Sequence, residues 1–141
     1  MDPLSIVAGV IAVVQAGDRL SQLASKVSLF IKAPEEIDSL IHELSDLKLV
    51  INALRVATSN LPVDFTAGLG TILNACSRII LALDGILQEI LSKAPESDAS
   101  VVQTQMCRLR WLKRRDRVQG LMQRLRDAKS TLALQVLALN S

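Results

Sequence analysis

The sequence predicts an all-α protein: a four-helix bundle with an apolar N-terminal helix and a long, basic C-terminal helix. Apolar residues make up 50% of the chain but aromatics only 2%, so the core must be aliphatic, built from the Leu, Ile, Val and Ala of helix packing. Four runs of apolar residues also recur at alternating spacings of three and four, the pattern of one helical face. Strand signals are weak beside them. With 141 residues the chain fits a single domain, 1–141, long enough to bury a core without disulfide staples.

The first helix opens with MDPLSIVAGVIAVVQAG and continues through the stripe Leu20, Leu23, Val27 and Phe30. From Leu4 to Ala16 there is no charge, and only Ser5 and Gln15 are polar. That run makes roughly 20 Å of helix at about 1.5 Å per residue, short of the roughly 20 apolar residues that a bilayer core of about 30 Å requires. Val14-Gln15-Ala16 looks like a cleavage site, but Asp2 and no Lys or Arg precede the run, where a secretory signal would be positive. Apolarity on every face predicts instead a helix covered by the other three. Ala8, Ala12 and Ala16 recur every fourth residue, with Ser5 and Gly9 beside them, a spacing that permits close helix approach in lipid or in a bundle.

The second stripe is Ile37, Leu40, Leu44, Leu47, Ile51 and Leu54. Pro34 followed by Glu35 and Glu36 starts this helix, Pro in the first turn and acids at the positive end of the dipole. Asn60-Leu61-Pro62 stops it. Asp64 or Thr66 is positioned to cap a third helix, whose stripe runs Leu69, Ile72, Cys76, Ile79, Leu83, Ile86 and Ile90, widened by Leu73, Ile80 and Leu87. Residues Ala94 to Ser100 read as a loop. The fourth stripe, Val118, Leu121, Leu125, Ala128 and Leu132, continues to Val136 and Leu139 and is anticipated upstream by Trp111. Short connections between such helices give a four-helix bundle.

Catalytic constellations are absent from this pattern. His42 is the only histidine and has no second ligand at metal-binding spacing. The Gly-x-Gly of Gly68-Leu69-Gly70 follows no strand and lacks the lysine of a phosphate loop. Cys76 and Cys107 show no paired spacing and read as buried thiols in a reducing, intracellular setting. No enzyme activity, catalytic residue, metal or cofactor is expected.

Charge is lopsided along the chain. Residues 1–100 hold 7 Lys/Arg against 12 Asp/Glu, a net −5, and residues 101–141 hold 9 against 2, a net +7. Arg108, Arg110, Lys113, Arg114, Arg115 and Arg117 gather around Asp116 at the head of the last helix. They have three conceivable partners. The acids of the second helix, Glu35, Glu36, Asp38, Glu43 and Asp46, would take them if the two helices lie side by side. Nucleic acid is disfavoured, because the chain has no Tyr and only Phe30, Phe65 and Trp111 for stacking. Anionic lipid attracts such clusters at about 1 kcal/mol per basic residue. The cluster alone does not choose between self-pairing and lipid.

Three segments together carry a resemblance: MDPLSIVAGVIAVVQ, APEEIDSLIHELSDLKLVI, and RWLKRRDRVQGLMQRLRDAKSTLALQVLAL. They resemble the HeLo-like domain, the fungal N-terminal domain of STAND or NOD-like receptor proteins, most specifically in Met-Asp-Pro-Leu-Ser and in Trp111, Leu112, Arg115, Lys129, Ser130 and Leu132. That domain is similar in architecture to the helical bundle of the mixed-lineage kinase domain-like protein. The resemblance implies an effector of programmed cell death in fungal innate immunity and heterokaryon incompatibility. Such a domain is cytoplasmic at rest; when clustered, it releases its N-terminal helix and permeabilises the plasma membrane. Carried onto this chain, it makes Leu4, Ile6, Val7, Val10, Ile11, Val13 and Val14 the membrane-insertion segment. Arg108, Arg110, Lys113, Arg114, Arg115 and Arg117 become the contact for anionic lipids. Burying Ile6, Val7, Val10, Ile11, Val13 and Val14 at roughly 1.5–3 kcal/mol each would hold the segment back at rest. Expected partners are plasma-membrane lipids, further copies of the chain, and a NOD-like receptor or amyloid regulator, C-terminal or on a separate chain. The other functional expectation is a signalling adaptor that oligomerises or recruits partners without entering lipid.

Overall fold

Each stripe becomes a helix. The computed structural model describes residues 3–30, 34–57, 63–91 and 101–140, all of them α-helical: α1 Pro3–Phe30, α2 Pro34–Ala57, α3 Val63–Leu91 and α4 Val101–Asn140. The expected stop at Asn60-Leu61-Pro62 and the expected loop from Ala94 to Ser100 lie outside the described residues.

Helix starts follow local chemistry. α2 opens on Pro34 with Glu35 and Glu36 in its first turn and closes with Arg55 in its last, so both ends suit the helix dipole. α3 begins at Val63, which puts Asp64 and Thr66 inside the first turn rather than ahead of it as caps. α4 runs for 40 residues, roughly 60 Å at about 1.5 Å per residue. Its basic cluster therefore sits two turns into the helix, not at its head, because no Gly or Pro between Val101 and Cys107 prevents an earlier start.

The stripes point inward. All six stripe residues of α2 are buried, as are Leu69, Leu73, Cys76, Ile79, Ile80, Leu83, Ile86, Leu87 and Ile90 of α3. α4 contributes Cys107, Trp111, Val118, Leu121, Met122, Leu125 and Leu132 to the same core, with Ala128 and Val136 packed against it. Both cysteines are free and buried, and His42 is exposed.

α1 and α4 each pack on α2 and α3, while α1 and α4 themselves lie across a diagonal and barely touch. The chain thus crosses the other diagonal between α2 and α3. Ion pairs give the directions: Glu36 meets Arg115, and Glu43 meets Arg126 and Lys129, so numbers rise together and α2 runs parallel to α4. Each sequential neighbour, α1 to α2 and α3 to α4, turns back on itself. α1 is consequently parallel to α3.

This arrangement overturns the expectation that α1 is covered on all sides. A corner helix of a square bundle has two neighbours. α1 buries Ile6, Val10, Val13, Leu20, Ala24 and Val27 against them and turns Val7 (39% exposed), Ala8, Ile11 (44%) and Ala12 outward. The 13-residue apolar run is also only part of a 28-residue helix, and Ile6–Leu29 is long and apolar enough to cross a bilayer.

Candidate functional site

The expected insertion segment divides by face. Ile6, Val10 and Val13 are core residues; Val14 is half-buried against the core; Val7 and Ile11 are open to solvent. The side chain of Leu4 lies outside the described residues. Of the small residues, Ala8 and Ala12 face outward with Val7 and Ile11. Gly9 turns toward α3, where a Cβ at its position would stand 3.5 Å from Leu73 Cδ1, in ordinary van der Waals contact. A longer side chain aimed the same way would meet Leu73.

The basic cluster is partly consumed by the fold. Arg110 Nη1 donates to the Ile90 carbonyl at 2.9 Å, and Cys107 Sγ donates to the same oxygen at 3.5 Å. Ile90 lies in the last turn of α3, where carbonyls have no helical partner and a cation complements the dipole. Arg114 Nη2 reaches Glu89 Oε1 at 2.8 Å. Arg115 pairs with Glu36, whose other oxygen accepts the Trp111 indole N–H at 3.1 Å. Arg108 is half-buried, and its buried Nε has no hydrogen-bond partner among the described residues. Lys113 and Arg117 are exposed and make no ion pair among the described residues.

Two features of this face escaped the sequence reading. One is the second clasp between α2 and α4, with Glu43 accepting from Arg126 Nε at 2.9 Å and from Lys129 Nζ at 2.8 Å, while Lys129 also lies 3.6 Å from Asp46. Burial raises the Glu43 pKa, and the hydrogen bonds and charges of Lys129 and Arg126 more than offset it, so the net value lies below the ordinary one. Glu43 adjoins buried Leu44, and Arg126 adjoins buried Leu125; such positions beside a stripe are the available signal for a boundary ion pair. The other feature is an apolar row, Met106, Leu109 and Leu112, exposed among the cations of α4. It lies off the Cys107–Trp111–Val118 stripe by spacing, which identifies it as outward-facing.

The bundle is polarised along its axis. Residues 3–17, 65–77 and 130–140 carry no charge, and 49–57 carry only Arg55. These four segments share one end, where Val7, Ile11, Val56, Leu134 and Leu137 are exposed. Asp18 pairs with Lys48 at 3.3 Å, which places Ile11 level with the last turn of α2 and so with the last turns of α4. Arg117 is about 20 residues back along α4, roughly 30 Å away at about 1.5 Å per residue. The basic cluster and the open face of α1 thus occupy opposite ends and diagonal corners. A single folded bundle cannot rest both on one flat bilayer.

Fold and surface together define an all-α, four-helix module. A family model described as Pigment biosynthesis cluster protein PigL N-terminal matches residues 1–140, and the chain belongs to that family. No curated protein and no solved structure matches.

Proposed function

We propose that this chain is a HeLo-like, membrane-targeting and pore-forming cell-death effector domain, activated when clustering frees its N-terminal helix toward lipid. The observation that carries this reading is the uncharged start of α1 with Val7 and Ile11 already open. Only three of the six residues counted as its restraint are fully buried, so release costs less than full coverage would impose. At about 1.5–3 kcal/mol per fully buried side chain, the burial of Ile6, Val10 and Val13 still keeps the helix in place without a trigger. Clustering raises local concentration at the bilayer and favours release. Separation of the cationic and apolar surfaces supports a step in which α1 leaves its corner, since both then reach one membrane. The resemblance to HeLo-like domains supplies the biological setting: cytoplasm at rest and plasma membrane on activation, under a NOD-like receptor or amyloid regulator.

A specific observation favours a second reading, the non-lytic adaptor: Arg110, Arg114 and Arg115 are engaged inside the fold, leaving fewer cations for lipid. Dye release from anionic liposomes separates the two. The effector reading expects release by the clustered wild type and none after deletion of residues 1–16. Equal behaviour of both proteins, with self-association intact, supports the adaptor.

A further inference from the structure

We infer that α1 does not enter lipid alone: α1 and α3 move as a preformed parallel pair, leaving α2 and α4 as an ion-paired couple at the headgroups. This rests on the membrane reading above and names the unit that inserts. Among the described residues two segments are long and apolar enough to span a bilayer, Ile6–Leu29 and Gly68–Leu91. They belong to α1 and α3, which are adjacent and parallel and form the most extensive helix contact in the bundle.

The four helices fall into two pairs of different chemistry. Among the described residues no ion pair joins α1 to α3; their contact is apolar and close, with Gly9 against Leu73. α2 and α4 are joined through Glu36, Glu43 and Asp46 to Arg115, Arg126 and Lys129, contacts that hydrocarbon would penalise and water tolerates. Polar ties seen between the pairs among the described residues include the exposed Asp18–Lys48 and Arg114–Glu89 and the more buried bonds to the Ile90 carbonyl. Exposed ion pairs resist separation weakly.

Departure of α1 alone would strip cover from both partners, because the α3 face around Leu73 would meet water. Departure as a pair keeps that contact and exchanges only the seams facing α2 and α4 for lipid or further copies. One of those seams is already loosely filled, with a groove of about 220 Å³ between α1 and α2 beside Val14, Gly17 and Ser45. Charged residues in the pair are Asp18, Arg19 and Lys26 on α1 and Asp64, Arg78, Asp84 and Glu89 on α3. Such groups inside a membrane face a water-filled lumen, which gives the inserted pair a polar side for a pore.

A crosslink tests this directly. A Cβ built on Gly9 lies 3.9 Å from Leu73 Cβ, within the roughly 3.5–4.5 Å of a disulfide. Gly9→Cys with Leu73→Cys, on a Cys76→Ala, Cys107→Ala background, locks α1 to α3. The inference expects the oxidised protein to release liposome dye to within about twofold of its reduced form. Loss of release on oxidation, recovered by reductant, means α1 must leave α3 and overturns the inference while sparing the membrane reading. Silence of the wild type in the same assay sinks both. A second measurement needs no crosslink: a fluorophore at Leu81→Cys, a position 59% exposed on α3, is expected to be quenched by nitroxide lipids during release. Quenching of a probe at Ile11→Cys but not at position 81 contradicts the paired movement.

Discussion

Ile11→Asp isolates membrane entry from folding. Ile11 is 44% exposed in the bundle, so the substitution forfeits about half the burial of an isoleucine, roughly 1 kcal/mol, and leaves the new carboxylate in water. A Tm fall of roughly 3 °C is expected for a domain of this size. In lipid the same carboxylate costs about 3 kcal/mol at the centre of an inserted helix and less at Ile11, near the start of the Ile6–Leu29 segment, and the lost isoleucine adds up to about 0.5. At about 1.4 kcal/mol per decade the insertion equilibrium falls by roughly one to two orders of magnitude. Dye release from anionic liposomes reads that loss, with circular dichroism melting run on the same samples. Val10→Asp does not serve, because Val10 is 2% exposed and a buried unpaired charge unfolds the bundle. Unchanged release by a folded Ile11→Asp protein would refute the view that the open face of α1 meets hydrocarbon.

Other substitutions probe the polar surfaces. Lys113→Glu with Arg117→Glu should weaken sedimentation with anionic vesicles by about tenfold or more, at about 1 kcal/mol per basic residue, and leave Tm unchanged. Arg115→Glu should lower Tm, since it sets two carboxylates against each other at Glu36. Trp111→Phe removes the hydrogen bond to Glu36 and should cost about 2 kcal/mol in a urea titration. Glu43→Gln should destabilise the fold at neutral pH. Because the folded pKa of Glu43 lies below its ordinary 4.5, its contribution is present above that value and fades as pH falls through the folded pKa. Wild type and variant should therefore converge in Tm in acid; a constant gap would contradict the lowered pKa.

The helices and their inward faces were readable because apolar and polar residues alternate with helical period. In α2, Ile37 to Leu54 stands against Glu35, Asp38 and Lys48, and every stripe residue is buried. Adjacency of α2 and α4 was only one of the pairings that an acidic helix and a basic cluster left open, and charge alone did not choose it over lipid. The orientation of α1 was not: residues 3–14 have almost no polar side chain to mark the wet side, so hydropathy had no contrast from which to choose Ile11 over Val10. Nor does local periodicity tell a chain to cross the diagonal between α2 and α3, and that crossing exposes α1 and sets the basic cluster far from it. The cluster itself misled by density, since six cations in sequence suggested one surface. The fold assigns Arg110 to a helix end and Arg114 and Arg115 to ion pairs, and leaves Lys113 and Arg117 exposed without an ion-pair partner among the described residues.

Depth-dependent quenching at position 11 tests the central claim most directly. With a fluorophore on Ile11→Cys in the clustered protein, nitroxides placed along the acyl chain should quench it on the time course of dye release, and soluble quenchers should lose access. A probe that remains open to aqueous quenchers and untouched by lipid nitroxides while dye escapes would contradict the account.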